Sequence, residues 1–182
     1  MHRLFVAIRP PADIRAGLIA LMNGINGARW QDDDQLHITL RFIGEVDRHQ
    51  ANDIADALAN IRFSPFRTAL SGVGCFDRKG HVNALWAGME PRAPLARLHR
   101  KVDRACIAAG LSPDDRSYLP HITLARFGRT AGPMDAFIAL HAGLASAPFT
   151  VDEFALYESH LSQNGSTYHL IERYRADRDE PE

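Results

Sequence analysis

Two stretches decide how this chain folds: Leu36-His37-Ile38-Thr39-Leu40-Arg41-Phe42, and Pro120-His121-Ile122-Thr123-Leu124-Ala125-Arg126-Phe127. With one residue inserted in the second they are near-copies, and their histidines stand 84 residues apart, close to half of the 182-residue chain. Both alternate and carry β-branched Ile and Thr, which predicts strands. In a strand, side chains two positions apart share a face. His37 and Thr39 therefore point one way, as do His121 and Thr123, while Ile38, Leu40, Ile122 and Leu124 face a core. Repeated packing accounts for repeated Ile and Leu. It gives no reason to repeat His and Thr. One His-x-Thr is commonplace and its histidine usually lies on the surface, whereas two matched copies are a chemical signal.

Outward from these stretches the pattern is regular. Leu4 to Ile8 predicts a buried strand, closed by Pro10 and Pro11. Helix patterns follow over 11–24, 49–61, 94–110 and 133–144, and Gly110 closes the longest. Gly44 is expected to end the first motif strand. Strands are expected at 66–70, 72–76, 81–87, 149–158 and 168–174, with turns at Lys79-Gly80 and Asn164-Gly165. Strand and helix alternate in each half, which makes the fold class α+β, a duplicated unit forming one two-lobed domain over 1–175. The charged tail, 176–182, is expected to be frayed.

Composition is that of a globular chain: 46% hydrophobic, 24% charged, net charge −1. A near-neutral chain cannot hold nucleic acid by gross charge, so any such binding must be local. Cys75 and Cys106 sit among apolar neighbours and suit buried free thiols in a reducing compartment. No apolar run is long enough to span a membrane, and the opening residues lack a signal-peptide pattern. A cytoplasmic monomer is expected.

If the two halves pack with pseudo-two-fold symmetry, His37 and His121 converge. One neutral imidazole can take a proton from an attacking hydroxyl or water, and the other, protonated, can give one to the leaving oxygen. The Thr39 and Thr123 hydroxyls can bond non-bridging phosphoryl oxygens. An arginine clamp has two candidates. Arg41 follows Thr39 by two and falls on the histidine face. Arg126 follows Thr123 by three, so strict alternation turns it away unless a bulge corrects it. Phe42 and Phe127 sit at matched places and either wall a nucleotide or join the core. Trp30 can stack a base but suits core packing better. His81, Tyr118 and His160 can line a cleft mouth or stand as ordinary surface groups. No metal-ligand spacing, nucleophile elbow or phosphate-cradling glycine loop is present in the sequence, so neither metal nor cofactor is expected.

With these residues in view, the chain resembles the RNA 2',3'-cyclic phosphodiesterases, also called 2'-5' RNA ligases, of the two-histidine phosphoesterase superfamily. The likeness runs through Arg3-Leu4-Phe5-Val6-Ala7-Ile8, Trp30, both His-x-Thr segments and Leu156-Tyr157-Glu158-Ser159-His160-Leu161. It implies a bilobal fold, two antiparallel sheets facing a central cleft with helices outside. It implies His37 as general acid and His121 as general base, Thr39 and Thr123 on the phosphate, and Arg126 rather than Arg41 as the clamp. The implied partner is an RNA end with a 2',3'-cyclic phosphate, tRNA fragments among the candidates. The implied product is a 2'-phosphate, with reversible ATP-independent 2'-5' ligation when an RNA hydroxyl replaces water. Two alternatives stand beside it: a phosphodiesterase of small cyclic nucleotides, and a non-catalytic RNA-end binder.

Overall fold

A computed structural model describes residues 1–178. The last four residues of the expected tail lie outside the described residues. In chain order the elements are β1 (His2–Ile8), α1 (Ala12–Leu21), β2 (Ala28–Trp30), a 3-10 turn (Asp33–Gln35), β3 (Ile38–Val46) and α2 (Arg48–Ala59). Then come β4 (Phe66–Arg78), β5 (His81–Glu90), α3 (Ala93–Ala108), β6 (His121–Phe127), α4 (Asp135–His141), β7 (Phe149–Val151), β8 (Glu153–Ser162) and β9 (Gly165–Arg175).

The strands form one path, β7-β4-β5-β6-β3-β1-β8-β9, with β2 beside β6. Among the described residues, its two sides are joined by one ladder pair of β3 with β6, Ile38 opposite Ile122. Both isoleucines are fully buried. The expected two sheets are therefore two antiparallel halves joined at one point, from which the motif strands diverge around a cleft.

The halves exchange strands. β4 and β5 join the half that holds β6, and β8 and β9 cross back to β1. The stretch 149–158, expected as one strand, is divided for this reason. Phe149–Val151 pairs β4, and Glu153 onward pairs β9 and then β1. The break at Asp152 is held by the Ala176 N–H donating to its carbonyl at 2.7 Å, and the Asp177 N–H donates to the Phe63 carbonyl. The start of the tail is thus tied down rather than frayed, because its backbone finds partners where the chain changes halves.

Helix faces follow the apolar spacing. On α3, Leu95, Leu98, Val102 and Cys106 are buried, and on α2, Ile54 and Leu58. α2 and α3 pack on each other and against β1, β3 and β9, while α4 packs on β4. Among the described residues no helix is long and apolar enough to cross a membrane. Both cysteines are free, and burial pushes the Cys106 thiol up to about 11.

Gly44 does not end β3. It adopts φ +87° inside the strand, opposite Leu4, at a point where the register shifts. A left-handed residue at a bulge is where glycine is least costly. The Lys79-Gly80 turn is as expected, with both residues at positive φ as a tight hairpin requires.

Candidate active site

Both motif strands carry a bulge at the residue after threonine. On β3, Thr39 lies opposite Ala7 and Arg41 opposite Val6, so Leu40 is the extra residue. On β6, Thr123 lies opposite Trp86 and Ala125 opposite Leu85, so Leu124 is the extra residue. A bulge inserts one unpaired residue and reverses alternation beyond it. The two copies therefore match without an insertion: Arg41 corresponds to Ala125, and Phe42 to Arg126.

This corrects one expectation and decides an open one. Arg41 does not lie on the histidine face. It is 7% exposed, with Nη1 at 3.3 Å from Asp103 and 3.4 Å from Asp114, and Nη2 donates to the Ser112 carbonyl at 2.5 Å. Phe127 is in the core, 7% exposed, because the bulge turns it inward. Arg126 and Phe42, by the same device, reach a cleft of about 710 Å³ lined also by His37, Thr39, His121 and Thr123.

The histidines are oriented alike. The Nδ1–H of His37 donates to the Gln35 carbonyl at 2.6 Å, and that of His121 to the Leu119 carbonyl at 2.6 Å. A carbonyl only accepts, so Nδ1 carries the proton and Nε2 is the free, basic nitrogen. These are the orienting groups that residue types could not identify, because they are main-chain atoms two residues upstream. Gln35 is itself fixed: its backbone N–H binds Asp32, and its side chain donates to the Ser166 carbonyl at 2.9 Å.

Aromatic rings pack on both imidazoles. Phe5 and Tyr168 lie 5.0 and 5.3 Å from His37, and Phe76 and Trp86 lie 4.9 and 6.1 Å from His121. Trp86 can lie flat over β4 because residue 74 is glycine; a Cβ there would stand 2.5 Å from its ring. Burial among such groups disfavours the imidazolium. It lowers His37 to about 4, against the opposing pull of the Gln35 carbonyl, with Arg126, His121 and Arg9 lowering it further. His121 is lowered as well, by burial first and then by Arg126, while the Leu119 carbonyl opposes. Both are neutral at pH 7 in the free protein, and the Arg126 guanidinium is felt at both.

A loop between α3 and β6 supplies the rest. The Tyr118 hydroxyl donates to the Thr39 carbonyl at 3.0 Å. Its ring stacks on His99, centroids 4.1 Å apart, and the His99 Nδ1–H donates to the carbonyl of the bulge residue Leu40 at 2.6 Å. Tyr118 thus lines the cleft and braces the first motif, while the next residue, Leu119, orients the second histidine. The role of His99 was invisible in sequence, since nothing local separates it from a surface histidine on α3.

Other candidates fall elsewhere. Trp30 packs against Phe137 on the core side of β2, 5.8 Å between centroids. His81 is exposed at the β4–β5 hairpin, and His160 is exposed beside His169. Arg3 lines the cleft, 5.3 Å over the Phe42 ring. Among the described residues no group of three or more His, Cys, Asp or Glu is placed to hold a metal ion.

Comparison with known proteins adds independent findings. The family model of the 2'-5' RNA ligase superfamily matches residues 10–163. An RNA 2',3'-cyclic phosphodiesterase of Aeropyrum pernix is 34% identical over 80% of this chain and 84% of its own length. One from Archaeoglobus fulgidus is 28% identical over 91% and 96%. The crystal structure of E. coli LigT complexed with 3'-AMP superposes with a TM-score of 0.80 at 28% identity, covering 97% of this chain and 99% of that one.

Proposed function

The chain belongs to the 2'-5' RNA ligase superfamily, and from that membership we propose that it hydrolyses RNA ends carrying a 2',3'-cyclic phosphate, leaving a 2'-phosphate. The observation that carries the reading is the mirrored pair of histidines, each with Nδ1–H held by a carbonyl and Nε2 left free in one cleft beside Thr39, Thr123 and Arg126.

The roles follow from proton inventory. A neutral His121 accepts a proton from water at Nε2 as the water oxygen attacks phosphorus. The bond from phosphorus to the 3' oxygen breaks, and that oxygen takes the proton from Nε2 of His37. Threonine hydroxyls and the Arg126 guanidinium stabilise the charge that builds on the non-bridging oxygens. In the free protein both imidazoles are neutral at pH 7, so His37 acquires its proton with the anionic substrate, whose charge favours the imidazolium. An RNA 5'-hydroxyl in place of water forms a 2'-5' linkage by the same proton transfers, with no ATP.

The test is a short RNA ending in 2',3'-cyclic phosphate, incubated in EDTA with the protein and with His37→Ala and His121→Ala. Conversion to a 2'-phosphate is expected, with each substitution lowering kcat by at least ~10²-fold, the usual scale of acid–base contributions. A folded protein that turns over no such RNA refutes the reading. A 3'-phosphate product would refute the assigned direction of opening.

A further inference from the structure

β2 runs along β6 in antiparallel register, and Arg29 lies directly opposite Arg126. The flanking residues fix their face. Ala28 and Trp30 pack against the core, and Ala125 and Phe127 are buried within it. Arg29 and Arg126 therefore both stand on the face opposite the core, and both are exposed; Arg126 lines the cleft and Arg29 lies just beyond its lining. Neighbouring strands are about 4.8 Å apart. The row continues across the wall from Arg126 to Ala84 on β5 and Phe76 on β4, the ring that packs on His121.

Like charges directly opposite one another destabilise a strand pair. Here nothing offsets them: among the described residues, neither guanidinium takes part in an ion pair or a side-chain hydrogen bond. In a chain of net charge −1, two adjacent uncompensated cations on one wall form a local positive site. Arg126 lines the cleft together with both imidazoles and so faces the scissile group. Arg29 stands one strand farther out, in line with it. A ligand with two successive anionic groups matches this spacing; a lone cyclic phosphate reaches only the inner cation.

We propose that Arg29 holds the phosphate on the 5' side of the terminal nucleotide, which makes the site prefer a strand end to an isolated cyclic mononucleotide. This rests on the phosphodiesterase reading above and names what that site selects.

The experiment compares adenosine 2',3'-cyclic phosphate with a dinucleotide ending in the same group, for the wild type, Arg29→Gln, Arg29→Lys and the exposed helix control Arg97→Gln. The wild type favours the dinucleotide. Arg29→Gln lowers the dinucleotide kcat/KM about tenfold, mainly through KM, as loss of one charge-assisted phosphate contact does. It also reduces the salt dependence by about one phosphate's worth, and the ratio of the two substrates' kcat/KM falls with it. Arg29→Lys recovers part of the loss, since charge returns without the fork. The proposal is overturned if Arg29→Gln lowers both substrates by one factor or neither, or if Arg97→Gln reproduces its effect. Equal use of both substrates by the wild type overturns this proposal alone. Hydrolysis of neither overturns the phosphodiesterase reading and this proposal with it.

Discussion

Replacing Arg126 by Gln perturbs the site in two separable ways. The first is loss of the phosphate contact proposed for it. A hydrogen bond to a charged group contributes about 1.5–3 kcal/mol, which is roughly 10- to 150-fold in kcat/KM. The second concerns the histidines. Burial lowers both, and the Arg126 guanidinium lowers both further, taking His37 to about 4 and His121 below 6.5. With a value near 4, only about one His37 in 10³ is protonated at pH 7 in the free protein. The profile of kcat/KM reports the free enzyme's acid and base. It should be a bell with its acid limb near pH 4 and its alkaline limb below 6.5, falling as pH rises through neutrality. Removing a cation favours the protonated form of each imidazole, so in Arg126→Gln both limbs move to higher pH while the maximum drops. Arg126→Lys keeps the charge and loses the fork, so its limbs stay and its maximum falls less. The assay is kcat/KM on a cyclic-phosphate oligonucleotide from pH 3.5 to 8. A lower maximum with unmoved limbs, or limbs moved toward acid, would refute the claim that Arg126 faces both imidazoles.

Two further substitutions test the framework behind the site. Arg41→Met strands the carboxylates of Asp103 and Asp114 and should cost about 3 kcal/mol, the lower end for breaking a buried pair, because both acids keep some solvent contact; a urea midpoint unchanged from wild type would show that the pair holds nothing. His99→Leu keeps the bulk but leaves the Leu40 carbonyl without its donor, at a cost of about 1–3 kcal/mol by urea unfolding. It also loosens Tyr118 on Thr39, so kcat should fall more than KM changes; an equal loss in both would place its effect elsewhere.

The residues that share the cleft were legible in the chain itself. Two His-x-Thr copies in strand context bring His37, Thr39, His121 and Thr123 to one cleft, because strand period puts each His and Thr on one face. Apolar spacing placed the four helices within a few residues. What failed was strict alternation. It put Arg41 on the histidine face and Arg126 off it, and two bulges, at Leu40 and Leu124, reversed both. A bulge is set by how a strand meets its neighbours, so one strand's residues do not reveal it.

The tertiary structure also decided everything that depends on main-chain atoms or on distant partners. The carbonyls of Gln35 and Leu119 fix the tautomers of the two histidines, and no side-chain pattern announces a carbonyl. His99 and Tyr118 reach Leu40 and Thr39 across 59 and 79 residues of chain. The exchange of strands between halves split 149–158 at Asp152, and β2, only three residues long, became a strand because β6 offered an open edge. Local sequence determined which polar groups share a strand face, since residue identity and strand period are local properties. Where those groups point, and what holds them there, depended on hydrogen bonds closed between segments far apart in the chain.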